Sequence, residues 1–333
     1  MQNNRPWYYR RWTAGLLTLA SCLPLAAWSQ GAAETFPSKA IVLINPLAAG
    51  GPQETETRLY AQKIMENTGW KVLVDFRAGA GGTLGLAYVA KAAPDGHTVL
   101  TSSSSFVMTP ALYPNLPFDP VKDLTPVSLI NTKGNMLVVS TLLPVRTVTE
   151  YIAYARANPG AINFGTSGAG GAVHLPGAWL HNMTNTQATF IHYKGTGPLL
   201  PDLVAGRVHA TYAFPVVTMP FVKAGKLRAL GVTSADRIKN LPDIPAVQEQ
   251  VPGFDFTSWL GAFVPARTPT AIVNRLGAEF AKMARDPEIV RKLADEHYFV
   301  SVGSTPEQFR QYIAPQFDFW RKLVRDNGIK LEE

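Results

Sequence analysis

The residues best suited to bind a ligand in this sequence are glycines, which offer backbone amides to a partner. Residues 164–174 have the sequence FGTSGAGGAVH and lie between a short apolar segment typical of a strand and an apolar segment typical of a helix. A glycine-rich turn in this position exposes unpaired backbone N–H groups at the helix N-terminus, where the helix dipole is positive. Such a turn favours an anion, so we predict a carboxylate site here.

A second glycine-rich loop, NPLAAGG at residues 45–51, also lies between a predicted strand and a predicted helix. We expect the two loops to face each other across a cleft between two domains and to hold one carboxylate. Four serines at 102–105 follow another predicted strand, and an aromatic residue ends a later one, where ligand sites often place apolar groups. The predicted ligand-binding residues are Ala48, Gly50, Gly51, Ser104, Ser105, Thr166, Ser167, Gly168, Ala169, Gly170, His174 and Phe214.

The elements that position these loops alternate between strand and helix. Continuous apolar runs predict strands at 41–44, 72–74 and 97–101, and helices are predicted between them at 53–68 and 83–93. A βαβαβ order predicts a parallel sheet with right-handed crossovers. The first part of the chain is therefore predicted to be of the α/β class.

A second α/β unit follows, and the 333 residues are enough for two domains. Strands at 136–140 and 256–264 are predicted to carry the chain from one domain to the other and back. The C-terminal residues are predicted to be helical and to pack on the first domain. We predict two lobes, each a mostly parallel sheet flanked by helices, with lobe 1 formed by 30–133 and 253–333 and lobe 2 by 134–252.

Composition and charge are those of an ordinary globular protein, with 46% hydrophobic and 17% charged residues. The formal charge is +7, and about +4 remains when Arg5, Arg10 and Arg11 of the N-terminal segment are subtracted. This surplus is too small to indicate nucleic-acid binding. We expect a monomer whose partner is a small molecule.

The first 29 residues resemble a cleaved export signal. A basic segment ends at Arg11, an apolar run too short to span a bilayer follows, and Ala27-Trp28-Ser29 fits a small-x-small cleavage site. We therefore predict export to the periplasm. Leu19-Ala20-Ser21-Cys22 resembles a lipoprotein signal and is the less favoured alternative, in which Cys22, the only cysteine of the chain, carries a lipid.

Three other kinds of site compete with the anion site. The glycines at 79–85 resemble a dinucleotide-binding turn, but no acidic residue ends the next predicted strand, as a ribose would require. The histidines show no metal-ligand spacing, so we predict neither metal nor cofactor. The leading alternative is a secreted serine hydrolase, because residues 165–169 resemble a nucleophile elbow around Ser167. Its acid and base would be Asp202 with His209, or Asp286 with His297.

Several motifs, in this order, are similar to those of one family, the substrate-binding proteins of tripartite tricarboxylate transporters, also called the Bug family. The resemblance covers roughly residues 36–325. Its motifs are PSK at 37–39, GG at 50–51, RAGAGG at 77–82, APDG at 93–96, FGTSG at 164–168, YKGTGP at 193–198, KAGKLRAL at 223–230 and LPDIP at 241–245.

This resemblance implies a two-lobed periplasmic binding protein of the Venus-flytrap type, with strands crossing at a hinge. It also implies that the protein captures a carboxylate through backbone amides and waters of the two loops and presents it to the permease subunits in the membrane; it would not be an enzyme. Three places differ from the family pattern: Glu54 replaces Asp, His209 replaces part of a Val-Asp pair, and residues 212–214 replace a Phe-Asp-Asn-like run. The loss of acidic groups disfavours an amino-acid ligand, and Phe214 indicates a more apolar, even aromatic, carboxylate.

Overall fold

A computed structural model of the chain describes residues 36–113, 115–168 and 171–329, and the strands of this part form two sheets. The predicted signal segment with Cys22, and the site residues Ala169 and Gly170, lie outside the described residues. The first sheet contains β1 (Ile41–Asn45), β2 (Val72–Phe76), β3 (Thr98–Ser103), β4 (Leu124–Gly134), β10 (Thr257–Pro265) and β11 (Val300–Ser301). The second contains β5 (Met136–Ser140), β6 (Ile162–Thr166), β7 (Ala188–His192), β8 (Ala210–Ala213) and β9 (Leu227–Val232).

Helices flank both sheets. They are α1 (Pro52–Thr68), α2 (Thr83–Ala90), α3 (Ser105–Leu112), α4 (Val148–Ala157), α5 (His174–Met183), α6 (Thr196–Val204), α7 (Pro215–Lys223), α8 (Thr270–Ala284), α9 (Pro287–Lys292) and α10 (Pro306–Asp326). In the ranges that the structure describes, no helix is both long and apolar enough to cross a membrane.

The two sheets are mixed, with strand orders β11-β4-β10-β3-β1-β2 and β7-β6-β8-β5-β9. The two-lobed α/β architecture predicted from the sequence is confirmed, but "mostly parallel" overstated the parallel pairing. β1 pairs in parallel with β2 and β3, and β6 with β7 and β8, whereas every pairing of β4, β5, β10 and β11 is antiparallel. The reason is that the chain leaves the first sheet along β4 and returns along its neighbour β10 in the opposite direction.

The helix predicted at 53–68 is observed at Pro52–Thr68, whereas the helix predicted at 83–93 ends at Ala90. α1 begins with Pro52 and is closed by Gly69, which adopts the left-handed conformation (φ 72°) and donates its N–H to the Met65 carbonyl. α10 begins with a reciprocal cap, in which the Thr305 hydroxyl accepts from the Gln308 amide and the Gln308 side chain accepts from the Thr305 amide.

The strand predicted at 97–101 continues into the serine run at 102–105, which was expected to follow it. β3 extends to Ser103, and α3 begins at Ser105. The Ser104 hydroxyl lies 3.0 Å from the Ser258 hydroxyl on β10, and the Ser104 amide donates to the Trp259 carbonyl. Neighbouring β10 therefore supplies the partners that the polar serines need, so the strand can continue to the start of the helix.

The crossing between the sheets is organised around one buried threonine. β4 and β5 are separated only by Asn135, and Thr233 directly follows β9. The Thr233 hydroxyl accepts from the Asn135 amide (2.9 Å) and donates to the Phe256 carbonyl (2.8 Å). The Thr233 backbone bonds to both residues as well. The outgoing crossing at Asn135 and the two ends of the returning connection, Thr233 and Phe256, are thus joined at Thr233.

Candidate functional site

The parallel strands bring the predicted site residues to one edge of each sheet. β1, β2 and β3 of the first sheet run parallel to one another, as do β6, β7 and β8 of the second, so within each group the carboxyl ends share an edge. In open α/β sheets this edge is where ligands bind. The loop at 46–51 and Ser104 follow the first group, and the loop at 167–173 and Phe214 follow the second.

The first-lobe loop is exposed at Ala48 and Gly50, and Gly50 adopts φ 91°. The Gly50 amide, predicted to face the ligand, donates instead to the Glu54 carboxylate at 2.6 Å. Glu54 also accepts from Arg58 at 2.7 Å. The Gly50 amide and then the Arg58 guanidinium lower the pKa of the Glu54 carboxyl. The first-lobe loop is thus bonded to a carboxylate of the chain itself, that of Glu54 in the first turn of α1.

The base of this loop is held by buried amides. The Asn45 side-chain oxygen accepts from the Leu47 amide (3.0 Å) and from the Gln53 side chain (3.2 Å), which also donates to the Thr101 carbonyl. Among the described residues, the buried Asn45 side-chain nitrogen has no acceptor. Since buried polar groups are normally hydrogen-bonded, this donor is available at the strand end.

The second-lobe loop is organised by Thr166, the buried last residue of β6. Its hydroxyl lies 2.6 Å from Nδ1 of His192, 3.2 Å from the Gly168 carbonyl oxygen and 3.4 Å from the Gly168 amide. Gly168 has φ 143°, and a Cβ atom there would meet no described atom within 4 Å. Ser167 is partly exposed beside it. Gly168 is therefore required for its backbone conformation, not for lack of space.

Two imidazoles flank this loop. His174, the first residue of α5, is buried, and its ring centroid lies 4.8 Å from those of His192 and Phe190. Burial, reinforced by His192, lowers the pKa of His174 to about 4, so this ring is neutral at neutral pH.

His192 was not among the predicted site residues. It is the last residue of β7, and its strand position pairs with Thr166 in the parallel register of β6 and β7. The sequence carried a usable signal, because the ends of two adjacent parallel strands lie side by side. That signal requires knowing that the strands are neighbours.

Three other predicted site residues, Ser104, Ser105 and Phe214, contact neighbouring side chains of the protein. Ser104 is buried against Ser258, and the Ser105 hydroxyl lies 3.0 Å from that of Ser103. Phe214 is half-buried, with its ring 5.1 Å from the Lys133 ammonium and 5.4 Å from the Phe299 ring. Phe214 therefore joins the second lobe to the first.

The acid–histidine pairs of the hydrolase alternative are not formed. His209 accepts from the Asn163 amide at 2.9 Å, whereas Asp202 accepts from Tyr193 and Arg207. Asp286 caps α9 and pairs with Lys63, and the His297 ring stacks on Phe299. Each acid and each histidine thus has another partner. Nor do the described ranges contain a group of three or more His, Cys, Asp or Glu residues that could hold a metal ion.

Two cavities lie in the first lobe. One is lined by core residues including Ile41 and Phe280, and the other lies along β2 beside Leu73 and Met65. Neither of these two cavities is lined by a described residue of the 46–51 or 167–173 loops.

Comparison with known proteins gives a consistent assignment. Residues 57–329 match the family described as "Tripartite tricarboxylate transporter family receptor". A UPF0065 protein from the tcbD–tcbE intergenic region of Pseudomonas sp. (strain P51) is 36% identical over 87% of this chain and 87% of its own length. Protein BugT of Bordetella pertussis is 32% identical, over 90% of this chain and 93% of its own.

Solved structures agree with these sequence relatives. An R. palustris protein solved with adipate superposes with a TM-score of 0.81 at 32% identity, covering 89% of this chain and 99% of its own. MatC from Rhodopseudomonas palustris, solved with bound malate, has a TM-score of 0.77 at 28% identity, covering 87% of this chain and all of its own.

Proposed function

Because the chain belongs to the receptor family of tripartite tricarboxylate transporters, we propose that it captures a small organic carboxylate between its lobes and delivers it to a membrane permease of that transporter type. The observation that carries this proposal is the pair of glycine-rich loops, each between the carboxyl end of a parallel strand and a helix N-terminus, on separate sheets. The adipate and malate in the two related structures support a carboxylate as the ligand class.

The two loops would contribute unequally. Glu54 places a negative charge at the first-lobe loop, whereas the second-lobe loop is flanked by two imidazoles. The carboxylate of a ligand is repelled by the negative charge of Glu54, whereas it can accept hydrogen bonds from the imidazoles of the second-lobe loop. We therefore propose that the second-lobe loop, with Ser167 and Gly168, binds the ligand's carboxylate first. The first-lobe loop, with Ala48 and Gly51, then closes over the remainder of the ligand.

The boundaries between the lobes would be those predicted from the sequence, at 133/134 and 252/253. The two lobes would close around the ligand. A ligand that contacts both lobes favours the closed form, and the shift is limited by its differential affinity for the two forms. Family members are periplasmic solute-binding proteins, and we propose the periplasm for this one, after cleavage before Gln30.

A thermal-shift screen tests the proposal. The protein recovered from a periplasmic fraction is melted with aliphatic and aromatic mono-, di- and tricarboxylates and with their uncharged amides as controls. A ligand at 100 times its Kd stabilises the native state by about 2.7 kcal/mol. Stabilisation by at least one acid but not by its amide is expected. If no carboxylate shifts the melting temperature, the binding proposal is wrong, and an ester-hydrolysis assay then examines Ser167.

A further inference from the structure

The position of His192 at the second-lobe loop gives it a geometry suited to an anion. The residue is exposed, and its Nδ1 atom is fixed by the Thr166 hydroxyl at 2.6 Å. The structure gives Nε2, the outer ring nitrogen, no hydrogen-bond partner among the described residues. One side of the ring is thus fixed to the loop, and the other can bind a ligand.

The hydrogen-bond pattern around Thr166 allows His192 to be charged. The Thr166 hydroxyl has one hydrogen and lies within bonding distance of the Gly168 carbonyl oxygen at 3.2 Å. When that hydrogen goes to Gly168, the hydroxyl oxygen can accept from Nδ1–H of His192. A protonated imidazole then has its Nδ1–H satisfied by Thr166 and its Nε2–H free to donate.

The charged groups around His192 leave this positive charge without an internal counter-charge. From α5 it meets His174, which burial keeps neutral above about pH 5, and from β6 the Thr166 hydroxyl. In its own loop, Tyr193 donates to Asp202, and that carboxylate is also bound by Arg207. No carboxylate in the described part of the chain pairs with His192, although the exposed Lys194 adds positive charge two residues away.

We propose that His192 is a ligand-binding residue that determines specificity for anions, and that its imidazole takes up a proton when a carboxylate binds. This inference rests on the proposed function, since it assigns the side chain that recognises the ligand. An ionised carboxylate gains a charge-assisted hydrogen bond from Nε2–H, which is stronger than a bond from a neutral ring. By linkage, the ligand favours the protonated ring, so affinity falls as pH rises through the range in which imidazoles titrate.

Calorimetric titration with adipate and with malate, from about pH 6 to about pH 8.5, tests the inference in two buffers of different ionisation enthalpy. For the wild-type protein, Kd should rise roughly 3- to 10-fold over this range, with proton uptake from the buffer. His192→Gln keeps a neutral donor but loses the charge, so its Kd should be weaker at the lowest pH and nearly independent of pH. Thermal melting verifies that the variant is folded.

His209→Gln is the matched control. His209 directly precedes β8, at the end of that strand away from the loops, and its ring accepts from the Asn163 amide. The variant should keep the wild-type pH dependence. The NMR signal of the His192 Cε1–H, identified by its loss in His192→Gln, should titrate at higher pH when ligand is present. If wild type binds without pH dependence, or if His192→Gln behaves like wild type, the inference is overturned and carboxylate capture still stands. If wild type binds neither these two acids nor any carboxylate of the thermal-shift screen at any pH, both fail.

Discussion

At the scale of single residues, the conformation of the second-lobe loop depends on Gly168. Gly168 adopts φ 143° with open space around the position of a Cβ, and Ser167 beside it contributes one hydroxyl. An L-residue at Gly168 would be strained, and relief of that strain would turn the loop amides away from the ligand. Ser167 can lose its hydroxyl without altering the loop.

We expect Gly168→Ala to weaken carboxylate binding by more than about tenfold, because the backbone must rearrange. Ser167→Ala should cost one hydrogen bond, about 0.5–1.5 kcal/mol, hence roughly tenfold at most. Gly225→Ala is a suitable control, since Gly225 also has a positive φ (69°) and open surroundings but lies in the turn after α7. Titration calorimetry of the three variants compares them. Normal binding by a folded Gly168→Ala protein would mean that the loop is not the site.

Two buried histidines should make the protein sensitive to acid. Burial lowers the pKa of both His174 and His181 to about 4, from 6.5. The unfolded chain therefore binds more protons than the native state between these values, so stability is full above about pH 6.5 and falls as pH drops towards 4. The lowered pKa of each histidine corresponds to a loss of on the order of 2–3 kcal/mol of the free energy of unfolding on acidification. His181 also bonds to Tyr151 (3.0 Å) and Thr186 (2.7 Å).

Urea unfolding at about pH 7.5, 6 and 5 measures this loss. His181→Gln should be less stable at neutral pH, because the native bonds of the ring are lost. Its stability should also fall less steeply with acid than that of wild type. An identical slope in the two proteins would show that His181 is not one of the groups responsible.

At the scale of elements, α1 and β4 are joined by a buried ion pair that also touches the second lobe. Lys133 donates to both Glu56 oxygens, at 2.6 and 2.8 Å, and the two side chains are only 3% and 1% exposed. Asn131 donates to Glu56 and to Tyr60. Burial, and next the Glu56 charge, raise the pKa of the Tyr60 hydroxyl. The same ammonium lies over the rings of Phe214 and Phe299.

Lys133→Met should therefore destabilise the protein by about 3–5 kcal/mol, because the Glu56 carboxylate would remain buried and unpaired. The double variant Lys133→Met with Glu56→Gln removes that charge and should recover much of the loss. Chemical denaturation of both variants gives the comparison. A double variant no more stable than the single one would show that packing of Lys133 on the two rings, not its charge pairing, supplies the stability.

At the scale of the whole molecule, three sets of contacts hold the lobes together. Trp179 of α5 packs against Phe254 and against Trp320 of α10. Phe214 contacts Phe299, and Asn240 donates to the Ala294 carbonyl. Thr233 ties the crossing segments together through four hydrogen bonds. Domain closure must either preserve these contacts or exchange them.

Thr233→Val should cost about 1–3 kcal/mol, because the Asn135 amide and the Phe256 carbonyl each lose a buried partner. Thr233→Ser keeps the hydroxyl and is the control, expected to be close to wild type. Urea denaturation compares their stabilities, and small-angle scattering with and without adipate reports whether the hinge still permits compaction. Equal stability of Thr233→Val and wild type would contradict the role of the hydroxyl.

Sequence patterns were sufficient to predict the α/β class, the two-lobed architecture and the two glycine-rich turns. These features follow from local patterns, because apolar runs, helix caps such as Thr305 and Gly69, and glycine spacing act over a few residues. The order of motifs also sufficed to identify the family. The assignment of ligand contacts remains a prediction at the level of the loops.

The contacts that each loop makes could not be read from the sequence, because they depend on how distant segments pack. The Glu54 carboxylate on Gly50 and the pairing of Thr166 with His192 depend on side-chain direction and on which strands are neighbours. The serine run became strand and helix because β10, more than 150 residues away along the chain, satisfies Ser104. The mixed sheets arose because the chain leaves by β4 and returns by β10. Such non-local pairings have no signature in a short window of sequence, since each requires two distant segments to be brought together.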